Sequence, residues 1–204
     1  MFALVEDNAF VKIVNSSKGI TIGDNQYPKT IFSLWSNAER EAIGIYEVVM
    51  DTTNQKDEAY YINTNVSYAY SSGTVTGSYG TATAKPLADI LWADDDDDRP
   101  SDVSVGDVKV KGLKSLEIEK IKAQASGLLN PTDWHVVKAT EVSDYDVPSN
   151  VATYRANVRA KSNEMETQIN ACSDVDALKT LFTWVYDKDT NTTSRPLASF
   201  PEEI

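Results

Sequence analysis

Near the middle of the chain the hydrophobic pattern changes period, and the change falls at "WADDDDDRPSDVSVGD", residues 92–107. Five consecutive aspartates with a proline, serines and a glycine carry too little apolar surface to order themselves. This composition predicts an acidic linker over 93–111. Before it, apolar residues alternate as in strands; after it, they recur every three or four residues as in helices. The chain therefore reads as α+β. The expectation is an N-terminal antiparallel β meander with a short helix over 1–92, and a helical hairpin or three-helix unit over 112–187. A polar, proline-containing tail, extended or mobile, follows over 188–204.

In the first segment, "MFALV" and "FVKIV" flank "EDNA" and predict a tight hairpin. Ser36 and Glu39 form the capping-box pattern of a short helix, with Gly44 as its stop. "IGIYEVVMD" reads as a buried strand. Ile62, Thr64, Val66, Tyr68 and Tyr70 share one face of a strand, Ser72-Gly73 turns the chain, and Val75, Gly77 and Tyr79 return. In the second segment, Leu113, Leu116, Ile121, Ala125 and Leu128 lie near one helical face. Asn130-Pro131 breaks that helix, and Pro148 opens a long one carrying Val151, Tyr154, Val158, Met165, Ile169 and Cys172. Ser173 with Asp176 marks the start of a third helix through Leu178, Leu181 and Phe182, with Val185 continuing its apolar spacing.

Charge narrows the function classes. The 204 residues carry a net charge of −12, which disfavours nucleic acid as the main partner, because phosphate contacts need clustered lysine and arginine. Anionic lipid is disfavoured for the same reason. The single Cys172 leaves no internal disulfide and no multi-cysteine zinc site, a usage that fits a reducing cytoplasm. "MFALVEDNAFVKIV" is not the pattern of a signal peptide, and no apolar run reaches membrane-spanning length. The Asn-x-Ser/Thr sites at Asn15, Asn65 and Asn191 then read as chance matches.

Catalytic constellations find little support. Calcium loops space their oxygen ligands at alternating positions around a glycine, which Asp94 to Asp98 do not. His135 is the only imidazole, and it lacks a neighbour with a nucleophile's context. Cys172 sits on an apolar helix face and reads as a small core residue. Glu164 and Glu166 are two apart on a helix and do not share a face. "GITIGDN" lacks the lysine and helix of a phosphate cradle. The expectation is a protein with no enzymatic activity, no cofactor and no metal. Tyr60, Tyr61, Tyr68, Tyr70 and Tyr79 leave a different use open: aromatic surface on a sheet can bind carbohydrate or protein.

"LLNPTDWHVVKATEVSDYDVPSNVATYRANVRAKSNEMETQI" has a helix ending in two leucines, a "TDW" corner, an acidic spacer, a proline, and then "YR…R". The pattern resembles the C-terminal region of tail-fibre assembly chaperones and related tail-associated proteins of tailed bacteriophages. The matching residues are Leu128, Leu129, Thr132, Asp133, Trp134, Pro148, Tyr154, Arg155 and Arg159, within about 113–172. "YPKTIFSLWSNAEREAIGIYEV" resembles the front domain of such proteins more weakly. The resemblance implies a non-enzymatic role in building the tail. It places the protein in the virion tail, or in the host cytoplasm during assembly.

Two expectations follow. "TDWH" should be a structural corner: Thr132 or Asp133 caps the chain after Pro131, Trp134 fills the angle between helices, and Arg155 and Arg159 pair with Asp133, Glu141 or Asp144. Partner binding to tail or tail-fibre proteins, or self-association, should use the stripe Leu113, Leu116 and Ile121 or the tyrosine hairpin at Tyr68 and Tyr70. The alternative reading is a glycan-binding adhesin module built on that hairpin.

Overall fold

The computed structural model describes all residues, Met1–Ile204, as mixed α and β in two compact units, Met1–Thr83 and Ala84–Ile204. The first unit holds strands β1 (Phe2–Glu6), β2 (Ala9–Val14), β3 (Ile20–Ile22) and β4 (Asn25–Tyr27), then helices α1 (Ile31–Leu34) and α2 (Asn37–Glu41). Strands β5 (Ile45–Asp51), β6 (Tyr61–Ile62), β7 (Ser67–Ser71) and β8 (Thr74–Ser78) follow, and the division between units falls within β9 (Thr83–Ala84).

Five strands form one sheet in the order β2-β1-β5-β8-β7. The β1–β2 hairpin turns at Asp7 and Asn8, both at positive φ, a conformation that short polar side chains tolerate. The β7–β8 hairpin turns in the same way at Ser72 and Gly73. The sheet is nevertheless no antiparallel meander, because β8 pairs with β5 in parallel, Val48 opposite Val75. Burial explains the order. Val75 and Gly77 make β8 the strand to bury, whereas the outward serines of β7 suit an edge.

The sheet curls, so that its two edge strands meet: Phe10 of β2 stacks on Tyr68 of β7 with ring centroids 5.1 Å apart. Inside the curl, Ala3, Val5, Val48 and Val75 pack with Tyr46, Met50 and Tyr70. A Cβ on Gly77 would stand 2.9 Å from the Tyr68 ring and 2.7 Å from Met50 Sδ, so the missing side chain is the space that Tyr68 occupies. On the opposite face Leu4, Val14 and Ile45 pack with Phe2, Phe32 and Ile43. The capping box of α2 is present: Glu39 N–H donates to Ser36 Oγ, and Ser36 N–H donates to Glu39 Oε2.

The second unit contains β10 (Ile90–Leu91), β11 (Val108–Val110), α3 (Leu113–Leu129), a 3₁₀ turn (Asn130–Thr132) and α4 (Asp133–Glu141). Then come α5 (Ser149–Ala171), α6 (Val175–Phe182), β12 (Val185–Asp187) and β13 (Thr192–Ser194). The acidic segment is a closed loop here and not a free linker. β10 and β11 pair across it, and Lys109 reaches back to Asp96 at 2.5 Å and Asp98 at 3.3 Å while lying over the Trp92 ring. The Lys109 ammonium, followed by the Ala93 N–H, holds the Asp96 carboxyl below its ordinary range. Residues just before the loop also belong to this unit, since Gly112 N–H donates to Asp89 and Leu113 N–H to the Pro86 carbonyl.

Helices α3 and α5 pack side by side, burying Ile121 and Ala125 against a stripe of Val151, Tyr154, Val158, Met165 and Ile169. The cap of α6 is Asp174, which accepts from Ala177 N–H, with Ser173 donating to it instead of capping. Val185 leaves the helix and lies in β12. The C-terminal segment is docked on the helical unit. Leu197 is fully buried, and Gln168 clasps the segment by donating to the Pro196 carbonyl and accepting from Ala198 N–H.

Candidate functional site

The residues of the "TDW…YR" pattern converge on the joint between α3, α4 and α5. Pro131 lacks an N–H, so it tolerates the first turn of a helix, and here the chain after α3 continues as a single 3₁₀ turn. The last carbonyls of α3 are left without intrahelical partners. Arg155, only 7% exposed on α5, answers them: Nη1 donates to the Leu129 carbonyl at 2.9 Å and to Thr132 Oγ1 at 2.6 Å. Its Nη2 pairs with Asp133 Oδ1 at 2.7 Å. Thr132 Oγ1 in turn donates to the Leu129 carbonyl, and Tyr154 Oη donates to the Leu128 carbonyl. A cation at a helix C-terminus also suits the helix dipole.

Arg159 has a lesser part, donating from Nη1 to the Arg155 carbonyl at 3.4 Å. Trp134 does not fill the angle between helices. Because the 3₁₀ turn passes directly into α4, Trp134 emerges on the outer side and is 54% exposed. The angle is filled by Leu128, Leu129 and Tyr154, together with Phe200 from the C-terminal segment.

Trp134 instead belongs to an aromatic group on α4 and its following spacer. It stacks on His135, with centroids 3.7 Å apart, and Tyr145 stacks on the other part of the group. His135 Nδ1 and Tyr145 Oη share a hydrogen bond, and Lys138 Nζ lies over the Tyr145 ring at 4.2 Å. The histidine thus ties the spacer to the helix.

The structure separates the proposed contact stripe. Leu113 and Ile121 are buried within the helical unit, while Leu116 is 39% exposed. Tyr68 and Tyr70 are half-buried inside the curl, Tyr70 Oη hydrogen-bonded to Tyr46 Oη at 3.2 Å. Neither ring stands out as a platform.

Apolar surface lies elsewhere. No residue of α4 is buried; Trp134, Val136 and Val137 are exposed on it, and Val142 is exposed just after it. Trp184, Val185 and Tyr186 are exposed at β12. The signal for α4 was present in the sequence as Trp134 and Val137, three apart, in a stretch read as a corner and spacer.

The Cys172 thiol is pushed up from its ordinary range, mainly by burial, which opposes the activation a nucleophile needs. No group of three or more His, Cys, Asp or Glu side chains could hold a metal ion. No helix is long and apolar enough to cross a membrane.

Compared with known proteins, the chain matches no family model, no curated protein and no solved structure.

Proposed function

We propose that the chain is a non-enzymatic phage tail protein that acts by protein–protein binding, either as a tail-fibre-associated subunit or as a tail-fibre assembly chaperone. The observation that carries this reading is the joint. Leu128, Leu129, Thr132, Asp133, Tyr154 and Arg155, six residues that resemble the tail-protein pattern, interlock there. Their joint use as a fixing device gives a physical reason for their spacing: the arginine must lie where the carbonyls of the preceding helix end. Exposed tryptophans and valines in the same unit support a binding role, since apolar surface of this kind marks interaction sites.

The glycan-adhesin alternative draws on Tyr68 and Tyr70, and their half-buried placement lends it little. The test is quantitative mass spectrometry of purified particles together with co-expression of the chain with the neighbouring fibre genes. Several copies per particle support a tail subunit. Absence from particles with a gain in soluble fibre supports a chaperone, and absence from particles with no effect on fibres overturns the proposal.

A further inference from the structure

We infer that a hollow of the first unit, lined by Phe2, Phe32 and Lys29, is a binding site for a carboxylated sugar. The inference goes beyond the protein-binding reading and stands on different residues. The hollow has a volume of about 390 Å³, within the roughly 300–1,000 Å³ of small-molecule sites. β1 supplies Phe2, and the loop between β2 and β3 supplies Ser16 and Ser17. Lys29, Thr30, Phe32 and Ser33 come from α1 and the two residues before it.

The chain carries 31 acidic residues against 19 basic ones, yet no carboxylate lines this hollow. The Lys29 ammonium is exposed and has neither an ion pair nor a hydrogen bond. Arg40, which does not line the hollow, lies over the Phe2 ring at 4.9 Å and is only 8% exposed. Buried charges are ordinarily paired. Arg40 instead donates to neutral oxygens alone, the carbonyls of Ile31 and Trp35 and Asn37 Oδ1. The neighbouring Glu39 carboxylate is taken up by Ser36 N–H and Oγ. One buried and one exposed cation thus make the hollow a place for an anion in an acidic chain.

The other lining groups favour a sugar over a bare anion. Ser33 Oγ donates to the Thr30 carbonyl and Ser17 Oγ to Asn15 Oδ1, so each keeps only acceptor capacity. Thr30 stands at the N-cap of α1 without capping it, and Ser16 Oγ has no protein partner, so both keep a donor. Free donors beside free acceptors match sugar hydroxyls, which give and accept alike. Phe2 and Phe32, with centroids 5.2 Å apart, add apolar surface for the face of a ring. A phosphate ion would leave the acceptors and the rings unused. Nucleic acid needs a denser array of cations than one exposed lysine.

The test titrates the full chain, labelled with ¹⁵N, with galacturonate, glucuronate, their methyl esters and inorganic phosphate at low ionic strength. The expected result is saturable amide shifts at Phe2, Ser16, Ser17 and Lys29–Ser33 with at least one of the two acids. The esters keep the ring and lose the charge, phosphate keeps the charge and loses the ring, and each should bind at least about tenfold more weakly. Lys29→Gln should weaken the acid about tenfold and Thr30→Val about threefold, with the rest of the spectrum unchanged, since neither side chain has a protein partner. Lys188→Gln, at an exposed lysine of the second unit, should bind as the wild type does.

No saturable shift with either acid, or shifts centred on other residues, would overturn the inference. So would equal binding of the esters or of phosphate, or unchanged binding by Lys29→Gln. None of these outcomes touches the tail reading, which rests on the joint in the second unit.

Discussion

Arg155 Nη2 stands 2.7 Å from Asp133 Oδ1 while Nη1 of the same guanidinium holds the Leu129 carbonyl, so one side chain of α5 fixes both the end of α3 and the start of α4. Truncating Arg155 to Ala removes one of the two donors to the Leu129 carbonyl, the donor to buried Thr132 Oγ1 and the partner of Asp133. The expected cost is about 2–4 kcal/mol in urea unfolding. Arg155→Lys should recover part of this, since an ammonium cannot make the forked contact. Asp133→Asn, at an exposed carboxylate, should cost under about 1 kcal/mol. Equal effects of the three would mean that the joint does not depend on the guanidinium.

Gly44 follows α2 at a φ of +80°, and a Cβ there would lie 2.6 Å from the Val5 carbonyl oxygen. That contact is with backbone, and Val5 N–H donates to the Gly44 carbonyl at 2.8 Å. Gly44→Ala should therefore destabilise the first unit by about 2–3 kcal/mol, combining left-handed strain with displacement of β1. Circular dichroism during thermal unfolding measures it, and an unchanged melting curve would contradict this backbone geometry.

Leu116 and Ile121 should behave differently although both lie on α3. Leu116→Asp, at a partly exposed position, should change stability by less than about 1 kcal/mol. Ile121→Asp would bury a carboxylate between α3 and α5 and should prevent the second unit from folding at neutral pH. The near-ultraviolet and amide spectra of the two variants distinguish the outcomes.

Asp174 caps α6 by accepting from Ala177 N–H at 2.8 Å, and that bond, ahead of the one from Ser173, holds its carboxyl below the ordinary range. A depressed carboxyl contributes stability that is fully present above its unfolded pKa and is lost as pH falls through its lower folded value. Asp174→Asn keeps a capping oxygen but cannot titrate. Unfolding of the variant should match the wild type near neutrality and depend less on pH through the acidic carboxylate range. Identical pH profiles would mean that the cap contributes nothing to acid sensitivity.

Leu197, buried against the helical unit, anchors the C-terminal segment beside the clasp of Gln168. Leu197→Ala should cost about 2–4 kcal/mol locally. Limited proteolysis should then cut between Ser194 and Ile204 well before the helices, whereas in the wild type this segment should be protected. Wild-type cleavage there at the same rate would show that the segment is not docked.

The sequence made both units legible where patterning is local. The Asp7-Asn8 turn, the Ser36–Glu39 box and the buried stripe of α5 follow from side-chain chemistry and spacing within a few residues. The parallel pairing of β5 with β8 was not legible, because it depends on which strand of a hairpin is better buried, a property of the assembled sheet. Likewise the five aspartates read as linker because Lys109, which pairs with two of them, lies beyond the loop. At the joint, charge and spacing offered Arg155 and Arg159 as partners of Asp133, Glu141 or Asp144, and the pair that forms there is Arg155–Asp133. The outward turn of Trp134 was not, since Asn130-Pro131 can end a helix or pass through a 3₁₀ turn into another with the same residues.

The seat of β8 between β5 and β7 carries a consequence for the order of assembly. β7 precedes β8 in the chain, yet β8 takes the inner place. A two-residue turn joins β7 to β8, whereas β5 and β8 are separated by the chain from Thr52 to Gly73. Local pairing tends to precede non-local pairing, so the hairpin is expected to form before β8 joins β5. Stopped-flow refolding should slow in Val75→Ala, at that seam, and should leave the rate nearly unchanged for an outward serine of β7 such as Ser67→Ala.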